Sequence, residues 1–152
     1  MLHAELEASE IPISLLLEGD PSEQSVYSYL GGSWCFAAIL EGLVVGACIV
    51  EAVSRGTAEI RNVSVKPEFQ KKGIGSELLR FVLSDLAAKG IRRVELGTGT
   101  FGYQLAYYQR LGFRVDSVVK NHYLLNYPEP IYEIGIRHRD QLRLYIELES
   151  RT

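Results

Sequence analysis

The chain has 152 residues, of which 47% are hydrophobic and 23% are charged, and its formal net charge is −3. This size and composition predict one globular domain over residues 1–152, with a core large enough to need neither a disulfide nor a metal. The acidic balance argues against a general nucleic-acid-binding protein. Because the chain has no basic, apolar leader and no run long enough to span a membrane, we expect a cytoplasmic protein.

Two short helices are predicted near the start of the chain. Apolar residues lie on both sides of the helix-breaking sequence Gly19-Asp20-Pro21 within residues 14–30. Proline and glycine interrupt a helix, so this pattern favours two helices over one. Asp20 or Ser22 is suited to cap the second helix, because a short polar side chain can accept from the first free backbone amides.

Three strands follow these helices. Two apolar runs, at residues 34–40 and 43–53, are joined by Glu41-Gly42, which predicts a β-hairpin. Their continuous apolarity predicts burial on both faces. A third run, from Thr57 to Val65, predicts another strand, which Pro67 ends because proline cannot continue the hydrogen-bond ladder.

The clearest helix is predicted from Gly75 to Lys89, where apolar residues recur at helical spacing before Gly90, a natural stop. Strands that come singly and in a hairpin, with helices between them, indicate one mixed α/β domain. The remaining predicted elements are a strand at Arg93–Leu96, a helix at Tyr103–Leu111, a strand at Phe113–Val119, a loop at Tyr127–Pro130 and a final strand at Gln141–Leu148.

Cysteines and histidines show no pattern of a redox or metal site. Cys35 and Cys48 lie in separate apolar runs and form no CxxC pair, so both are predicted to be buried thiols. His3, His122 and His138 are too scattered for a metal-ligand spacing. We therefore expect no metal, and histidines that lie at the surface or in loops.

The most informative stretch runs from Val63 to Ser76, where a buried strand passes through a proline loop into a helix. A helix N-terminus presents free N–H groups and partial positive charge, and glycines let a pyrophosphate approach the backbone closely. Two adjacent lysines add positive charge. An ordinary glycine-rich helix start with solvated lysines is the alternative interpretation. The candidate binding residues of this stretch are Val63, Ser64, Val65, Gln70, Lys71, Lys72, Gly73, Ile74, Gly75 and Ser76.

Gln70, Gly73 and Gly75 match a known signature: Gln or Arg, two residues, Gly, one residue, then Gly or Ala. In this respect the chain resembles the GNAT acetyltransferases. The segment from Leu105 to Phe113 is similar to the family's second block, in which a Tyr is followed by three residues and Gly-Phe. Many members carry Asn near the start of this helix. At that place this chain has Thr100, Tyr103 and Gln104.

The resemblance implies a GNAT fold, with a mixed, mostly antiparallel central sheet flanked by helices, and acetyl-coenzyme A as co-substrate. It also implies an N-acetyltransferase in which a primary amine, on a small molecule or a peptide, attacks the thioester directly in a ternary complex. A stretch from Tyr127 to Gly135 is similar to bacterial members labelled aminoglycoside-acetyltransferase-like, which suggests a small-molecule type. A homodimer is consistent with this resemblance.

The resemblance also implies roles for individual residues. Tyr108 matches the acid that protonates the leaving thiolate, and a phenol with an ordinary pKa near 10 is protonated at neutral pH. Glu59 matches the strand glutamate that some members use as a base. Alternatives are an ion pair of Glu59 with Arg61, Glu95 as the base, or an ordered water. Backbone amides from Val63 to Val65 would stabilise the oxyanion and pair with the pantetheine arm.

Other functions are less well supported. The chain has no GxxxxGK followed by Ser or Thr, which excludes a P-loop NTPase at the level of the motif. Residues 97–102 do satisfy GxGxxG, but the helix after them is short and no acidic residue follows about 20 positions later, so a structural turn explains the glycines better than a dinucleotide site. A non-catalytic acyl-coenzyme A sensor is the main alternative. The acceptor would be recognised by variable loops, here residues 14–33 and 122–139.

Overall fold

The structure, a computed structural model, describes residues 1–149. These residues divide into two compact units, one of residues 1–94 with 148–149 and one of residues 95–147. Within residues 1–149 there are nine strands and five α-helices. In chain order they are β1 (Leu2–Leu6), α1 (Ile13–Gly19), α2 (Glu23–Leu30), β2 (Trp34–Leu40), β3 (Leu43–Ser54), β4 (Thr57–Val65), α3 (Ile74–Ala88), β5 (Arg93–Gly99), α4 (Tyr103–Arg110), β6 (Arg114–Val119), α5 (His122–Asn126), β7 (Tyr132–Glu133), β8 (Ile136–Arg137) and β9 (Gln141–Glu147).

An antiparallel sheet in the order β1-β2-β3-β4 forms the centre of the first unit. Its register pairs Phe36 with Cys48, and Cys48 with Val63. Phe36 and residues 45–50 are all buried, which fits a strand pair covered on both faces. The predictions of a hairpin over β2 and β3, of burial on both faces and of a third strand at β4 are confirmed.

Helices α1 and α2 bring their apolar residues to one core of the first unit. Leu15, Leu16, Val26 and Tyr29 are buried there with Ile49 of β3. The two helices are separate, as predicted, because the chain turns at residues 20–22 between them.

A buried polar network lies at this turn. Ser22 caps α2 by accepting from the backbone N–H of Ser25 at 3.1 Å. Asp20, the other predicted cap, accepts from the hydroxyls of Ser25 at 2.7 Å and Tyr29 at 3.0 Å. The Tyr29 hydroxyl in turn accepts from the amide of Asn62 on β4 at 3.0 Å. Hydrogen bonds to these groups compensate for their burial and join the two helices to β4.

Helix α3 buries one face, with Leu78, Leu79, Val82 and Leu86 fully inaccessible at helical spacing. Its last turn is held by Lys89, whose ammonium lies 2.8 Å from Glu5 and 3.1 Å from Asp85. The hydrogen bond that Lys89 donates to Glu5, with a smaller contribution from Asp85, raises the pKa of Lys89. A cation at this position also complements the negative C-terminal end of the helix.

Cys35 and Cys48 are free thiols and both are buried, as predicted. Burial is the main cause that raises the pKa of each thiol. Because the thiolate is the reactive form, these side chains behave as small apolar groups of the core.

In the second unit the strand order is β5-β9-β6. Strand β5 begins in the first unit and is next to β4 in the order of the sheet. Strands β6 and β9 pair antiparallel, and every residue of β6 is exposed, as expected for the last strand of this order. Strands β7 and β8 form a separate two-stranded hairpin. The expected mixed, mostly antiparallel sheet with flanking helices is confirmed.

The sequence predictions and the structure differ at three places. Strand β5 extends to Gly99, so Gly97 and Gly99 lie in a strand and not in a turn. His138 lies in a loop, as expected, but it is buried and hydrogen-bonded to Glu133, while His3 lies in β1 and His122 in α5. Elements β1, α5 and the β7–β8 hairpin are absent from the sequence prediction, since each is short and lacks a strong hydrophobic period.

Candidate functional site

Strand β4 leads directly into a tight loop before α3. Pro67–Phe69 form a turn of 3-10 helix, closed by a hydrogen bond from the Phe69 N–H to the Lys66 carbonyl at 2.9 Å. The side chain of Gln70 folds back and donates to the Val65 carbonyl at 2.9 Å. This hydrogen bond holds the loop against the end of β4, and it occupies the side-chain amide of Gln70.

The loop ends at Gly73, which has φ +82° and is the N-cap of α3. Only glycine adopts such a backbone conformation without strain, which gives this position of the signature a physical reason. The N–H of Glu77 donates to the Gly73 carbonyl at 3.1 Å and makes the first hydrogen bond of the helix. The amides of Ile74, Gly75 and Ser76 therefore have no acceptor within α3, and they carry the partial positive charge of a 15-residue helix.

The side chains around these amides divide into exposed and buried ones. Lys71 and Lys72 are exposed, and the Lys72 ammonium lies 5.8 Å from the centre of the Phe69 ring. Ile74 is buried and anchors the first turn of α3 in the core, so only its backbone is available to a ligand. The arrangement of backbone amides without an acceptor in the helix beside two exposed lysines can bind a phosphate or pyrophosphate.

Strand β4 has two distinct faces. Ser64 and Asn62 lie on the buried face, where the Ser64 hydroxyl donates to the Asn62 side chain and Asn62 donates to the Leu16 carbonyl of α1 at 2.9 Å. Val63 and Val65 lie on the opposite, half-buried face. The Ser64 side chain is thus committed to the helix side, and a ligand would meet only its backbone.

Glu59 lies on the same half-buried face as Val63, with 21% of its side chain exposed. Its Oε2 is 3.8 Å from the Arg61 Nε, while Arg61 donates to Glu51 of β3 at 2.9 Å. Buried and half-buried residues alternate along β4, and Glu59 is one of the half-buried ones. The ion pair with Arg61, considered as an alternative, is present.

In the second unit, Glu95 lies on β5 with 29% of its side chain exposed. Its Oε1 is 3.9 Å from a guanidinium nitrogen of Arg143 on β9. Glu95 is thus held in the same manner as Glu59, by a cation on a neighbouring position of the sheet. Strand alternation was the signal in the sequence that could have revealed these charged faces.

Helix α4 carries Tyr108, which is buried with 7% of its surface exposed. Its ring packs edge-on against Phe113, with 5.9 Å between ring centres, and its carbonyl accepts from the Phe113 N–H at 3.1 Å. The turn at Gly112 brings Phe113 back onto the helix, which explains the spacing of Tyr, three residues and Gly-Phe. Tyr107 lies beside Tyr108 at 5.3 Å between ring centres, and Tyr103, at the helix start, is exposed.

Within residues 1–149 no three or more His, Cys, Asp or Glu side chains are grouped so that they could hold a metal ion. Over the same residues, no helix has the length and apolar character needed to cross a membrane.

Comparison with known proteins gives consistent results. A family model described as "Acetyltransferase (GNAT) domain" matches residues 31–115. The protein named "Uncharacterized N-acetyltransferase YvbK" of Bacillus subtilis is 36% identical over 135 residues, which cover 88% of this chain and 87% of that protein. Among solved structures, an IAA acetyltransferase of Bacillus cereus aligns with a TM-score of 0.92 and 36% identity, over 97% of this chain and 99% of that one. A GNAT family acetyltransferase of Elizabethkingia anophelis, crystallised with acetyl-CoA, aligns with a TM-score of 0.92 and 35% identity, over 97% of both chains.

Proposed function

The chain belongs to the GNAT acetyltransferase family, and on that premise we propose that it transfers the acetyl group of acetyl-coenzyme A to a primary amine. The observation that carries the proposal is the passage from β4 through the Gly73 turn into α3, where backbone amides without an intrahelical acceptor lie beside two exposed lysines. The similar Elizabethkingia structure, which holds acetyl-CoA, supports the choice of co-substrate.

In this proposal the coenzyme is held mainly by backbone. The amides from Gly73 to Ser76 bind the pyrophosphate, and Lys71 and Lys72 supply charge that neutralises it. Backbone groups of Val63, Ser64 and Val65 pair with the pantetheine arm. Gln70 contributes by holding the loop, as its bond to the Val65 carbonyl suggests.

The chemistry that the protein must supply has three parts. A base removes a proton from the acceptor ammonium, so that the neutral nitrogen can attack the thioester carbonyl directly in a ternary complex. Backbone N–H groups around Val63 to Val65 stabilise the negative charge that develops on the carbonyl oxygen. Tyr108 then gives its hydroxyl proton to the departing thiolate. A phenol with an ordinary pKa of about 10 carries this proton at neutral pH, and the phenolate left behind regains a proton from solvent, since it is a stronger base than a thiolate, whose conjugate acid has a pKa of about 8.5.

For the base we propose Glu59, directly or through a water. Its side chain is partly exposed on the half-buried face of β4, the face that also carries Val63. Glu95 is the rival, and its environment is similar because an arginine lies at a comparable distance. Proton removal by an ordered water alone is the third mechanism, which the Glu59 variant described below tests.

The acceptor is proposed to be a small molecule or a peptide with a primary amine, read by residues 14–33 and 122–139. The proposal includes action in the cytoplasm, without nucleic acid or a membrane as partner, and assembly into a homodimer. These points rest on the acidic composition and on the family, and the net charge of −3 favours a cationic acceptor.

Two measurements on the purified protein test the proposed function. Calorimetric titration with coenzyme A should give saturable binding at one site per chain. Thiol release from acetyl-coenzyme A in the presence of a panel of primary amines should exceed the rate without an amine. Binding without release for any amine would indicate the acyl-coenzyme A sensor instead, and failure to bind coenzyme A would remove both interpretations.

A further inference from the structure

We propose that Glu133 and His138 form a latch that positions helix α4, and through it Tyr108, for the transfer reaction. We refer to this pair as the 133–138 latch. The inference rests on the proposed function for its catalytic consequence, but its structural part stands on contacts within the second unit. It also gives a reason for the glycines at positions 99 and 102, which the phosphate site leaves unexplained.

The latch is a hydrogen-bonded pair at the two ends of the β7–β8 hairpin. His138 Nε2 lies 2.9 Å from Glu133 Oε1, and the backbone N–H of His138 donates to the Ile131 carbonyl at 2.8 Å. His138 is buried, with only 7% of its surface exposed. Its Nδ1 has no hydrogen-bond partner within residues 1–149. A carboxylate on Nε2 favours the tautomer with the proton on that nitrogen, which fixes the orientation of the ring.

The His138 ring packs directly on the segment before α4. It stacks face to face on Phe101, with 4.2 Å between ring centres and 9° between planes. Its edge lies so close to Gly99 that a Cβ at that position would overlap Cε1 and Nδ1. A glycine is therefore required at position 99 by the approach of the imidazole and not by its backbone angle.

Glu133 makes the second contact with the same segment. Its carboxylate lies against Gly102, the N-cap of α4, where any side chain would overlap it. Gly102 offers no side-chain cap to the helix. A carboxylate beside the positive end of a helix is favourable. The hairpin thus holds the residue from which α4 starts.

These contacts determine where α4 begins and how it is oriented about its axis. Tyr108 lies five residues after the first residue of the helix, and a rotation at the start moves its hydroxyl by the same angle. An error of about 1 Å in the place of a catalytic group can cost about 10²-fold in rate. Glu133 and His138 are accordingly positioning residues, and neither needs to touch a substrate.

The test compares Glu133→Ala with Glu133→Gln, which keeps an oxygen that accepts from His138. Glu147→Ala, which removes an exposed glutamate of β9 in the same unit, is the matched control. Each variant is made in the wild-type and in the Tyr108→Phe background. The measurements are kcat, KM for the amine, the dissociation constant of coenzyme A, and amide hydrogen exchange over residues 103–108.

We expect Glu133→Ala to lower kcat by about tenfold or more, with KM and coenzyme A affinity changed by less than about twofold. Glu133→Gln should recover most of the rate, and Glu147→Ala should behave as wild type. In the Tyr108→Phe background, Glu133→Ala should cause no further loss of kcat, because both changes disable one group. Amide hydrogen exchange at the start of α4 should become faster in Glu133→Ala but not in Glu133→Gln or Glu147→Ala.

Several results would overturn the latch. These are an unchanged kcat in Glu133→Ala, an equal further loss in the Tyr108→Phe background, or a change confined to KM, which would make Glu133 an acceptor-binding residue. If the wild-type protein has no turnover with any amine, the proposed function fails by itself. The exchange measurement then decides the latch alone, and unchanged exchange over residues 103–108 would reject it.

Discussion

Tyr107 and Tyr108 are neighbours on α4, about 100° apart around its axis, so only one of them can direct its hydroxyl to a given point. Tyr108 is the one that the turn through Gly112 packs against Phe113. We expect Tyr108→Phe to lower kcat by roughly 10²-fold or more with little change in coenzyme A binding, because the ring stays and only the proton donor is lost.

Tyr107→Phe is the internal control for this prediction and should have a much smaller effect. Measuring kcat and the coenzyme A dissociation constant for both variants, with circular dichroism to verify folding, decides between them. Wild-type activity in Tyr108→Phe would reject the acid assignment. A large loss in Tyr107→Phe alone would move the role to that residue.

Glu59 is held by Arg61 on a partly exposed face, a position from which a carboxylate can exchange protons with solvent or substrate. We predict that Glu59→Gln lowers the rate mainly at pH values where the acceptor amine is protonated, since a base matters only while a proton must be removed. The pH–rate profile is the measurement, with Glu95→Gln as the matched variant. A profile scaled down equally at every pH would indicate a structural role for Glu59.

At the scale of single residues, the environment of a side chain was easier to predict from the sequence than the residues with which it pairs. The two cysteines were predictable as buried thiols, because each lies inside a continuous apolar run. The pairing of His138 with Glu133 was not predictable, since it depends on a hairpin of two-residue strands. Similarly, Arg61 bridges to Glu51 through the strand register, which no local pattern encodes.

The loop between β4 and α3 is the element on which cofactor binding depends in this account. Gly75 lies in the first turn of α3, among amides that have no acceptor within the helix. We expect Gly75→Asp to weaken coenzyme A affinity far more than it lowers the free energy of unfolding, because a carboxylate there repels the pyrophosphate, whereas it suits a helix N-terminus.

Calorimetric titration and thermal unfolding of the same samples test this expectation. Gly31→Asp, at the C-cap of α2, where an added side chain meets open space, serves as a control that changes a glycine to the same residue away from the loop. Unchanged affinity in a folded Gly75→Asp protein would remove the phosphate-loop assignment.

Elements with a sustained hydrophobic pattern were predictable from the sequence, and their predicted ends were correct to within a residue or two. Helix α3 has six buried residues on one stripe, and the β2–β3 hairpin is mostly apolar. Strand β5 was predicted too short, because its second half is Gly97-Thr98-Gly99, which carries no strand signal. Its glycines instead reflect side chains that approach from residues far along the chain, such as His138 at Gly99.

For the molecule as a whole, the single domain over residues 1–152 stays a prediction. The chain passes from the first unit to the second within β5 and returns at residue 148. We predict one cooperative thermal transition, with equal calorimetric and van't Hoff enthalpies, because two shared connections oppose separate unfolding. Two resolved transitions in scanning calorimetry would show that the units unfold independently.

At this scale the family and the fold were predictable from two sequence blocks, residues 63–76 and 105–113. The first block has a recognisable signature because backbone binding of a pyrophosphate requires glycines at fixed spacing. The acceptor was not predictable, because it would be read by residues 14–33 and 122–139, where side chains vary with the substrate. Such segments encode specificity through contacts that form only in the folded chain.

The central claim is that the protein moves an acetyl group from the coenzyme to an amine. Its most direct test is mass spectrometry of a primary-amine panel incubated with acetyl-coenzyme A and the purified protein, with Tyr108→Phe in parallel. We predict that at least one amine gains a single acetyl group, in equal amount to the thiol released, and that Tyr108→Phe forms this product far more slowly. Tight binding of acetyl-coenzyme A with no acetylated product from any amine would contradict it.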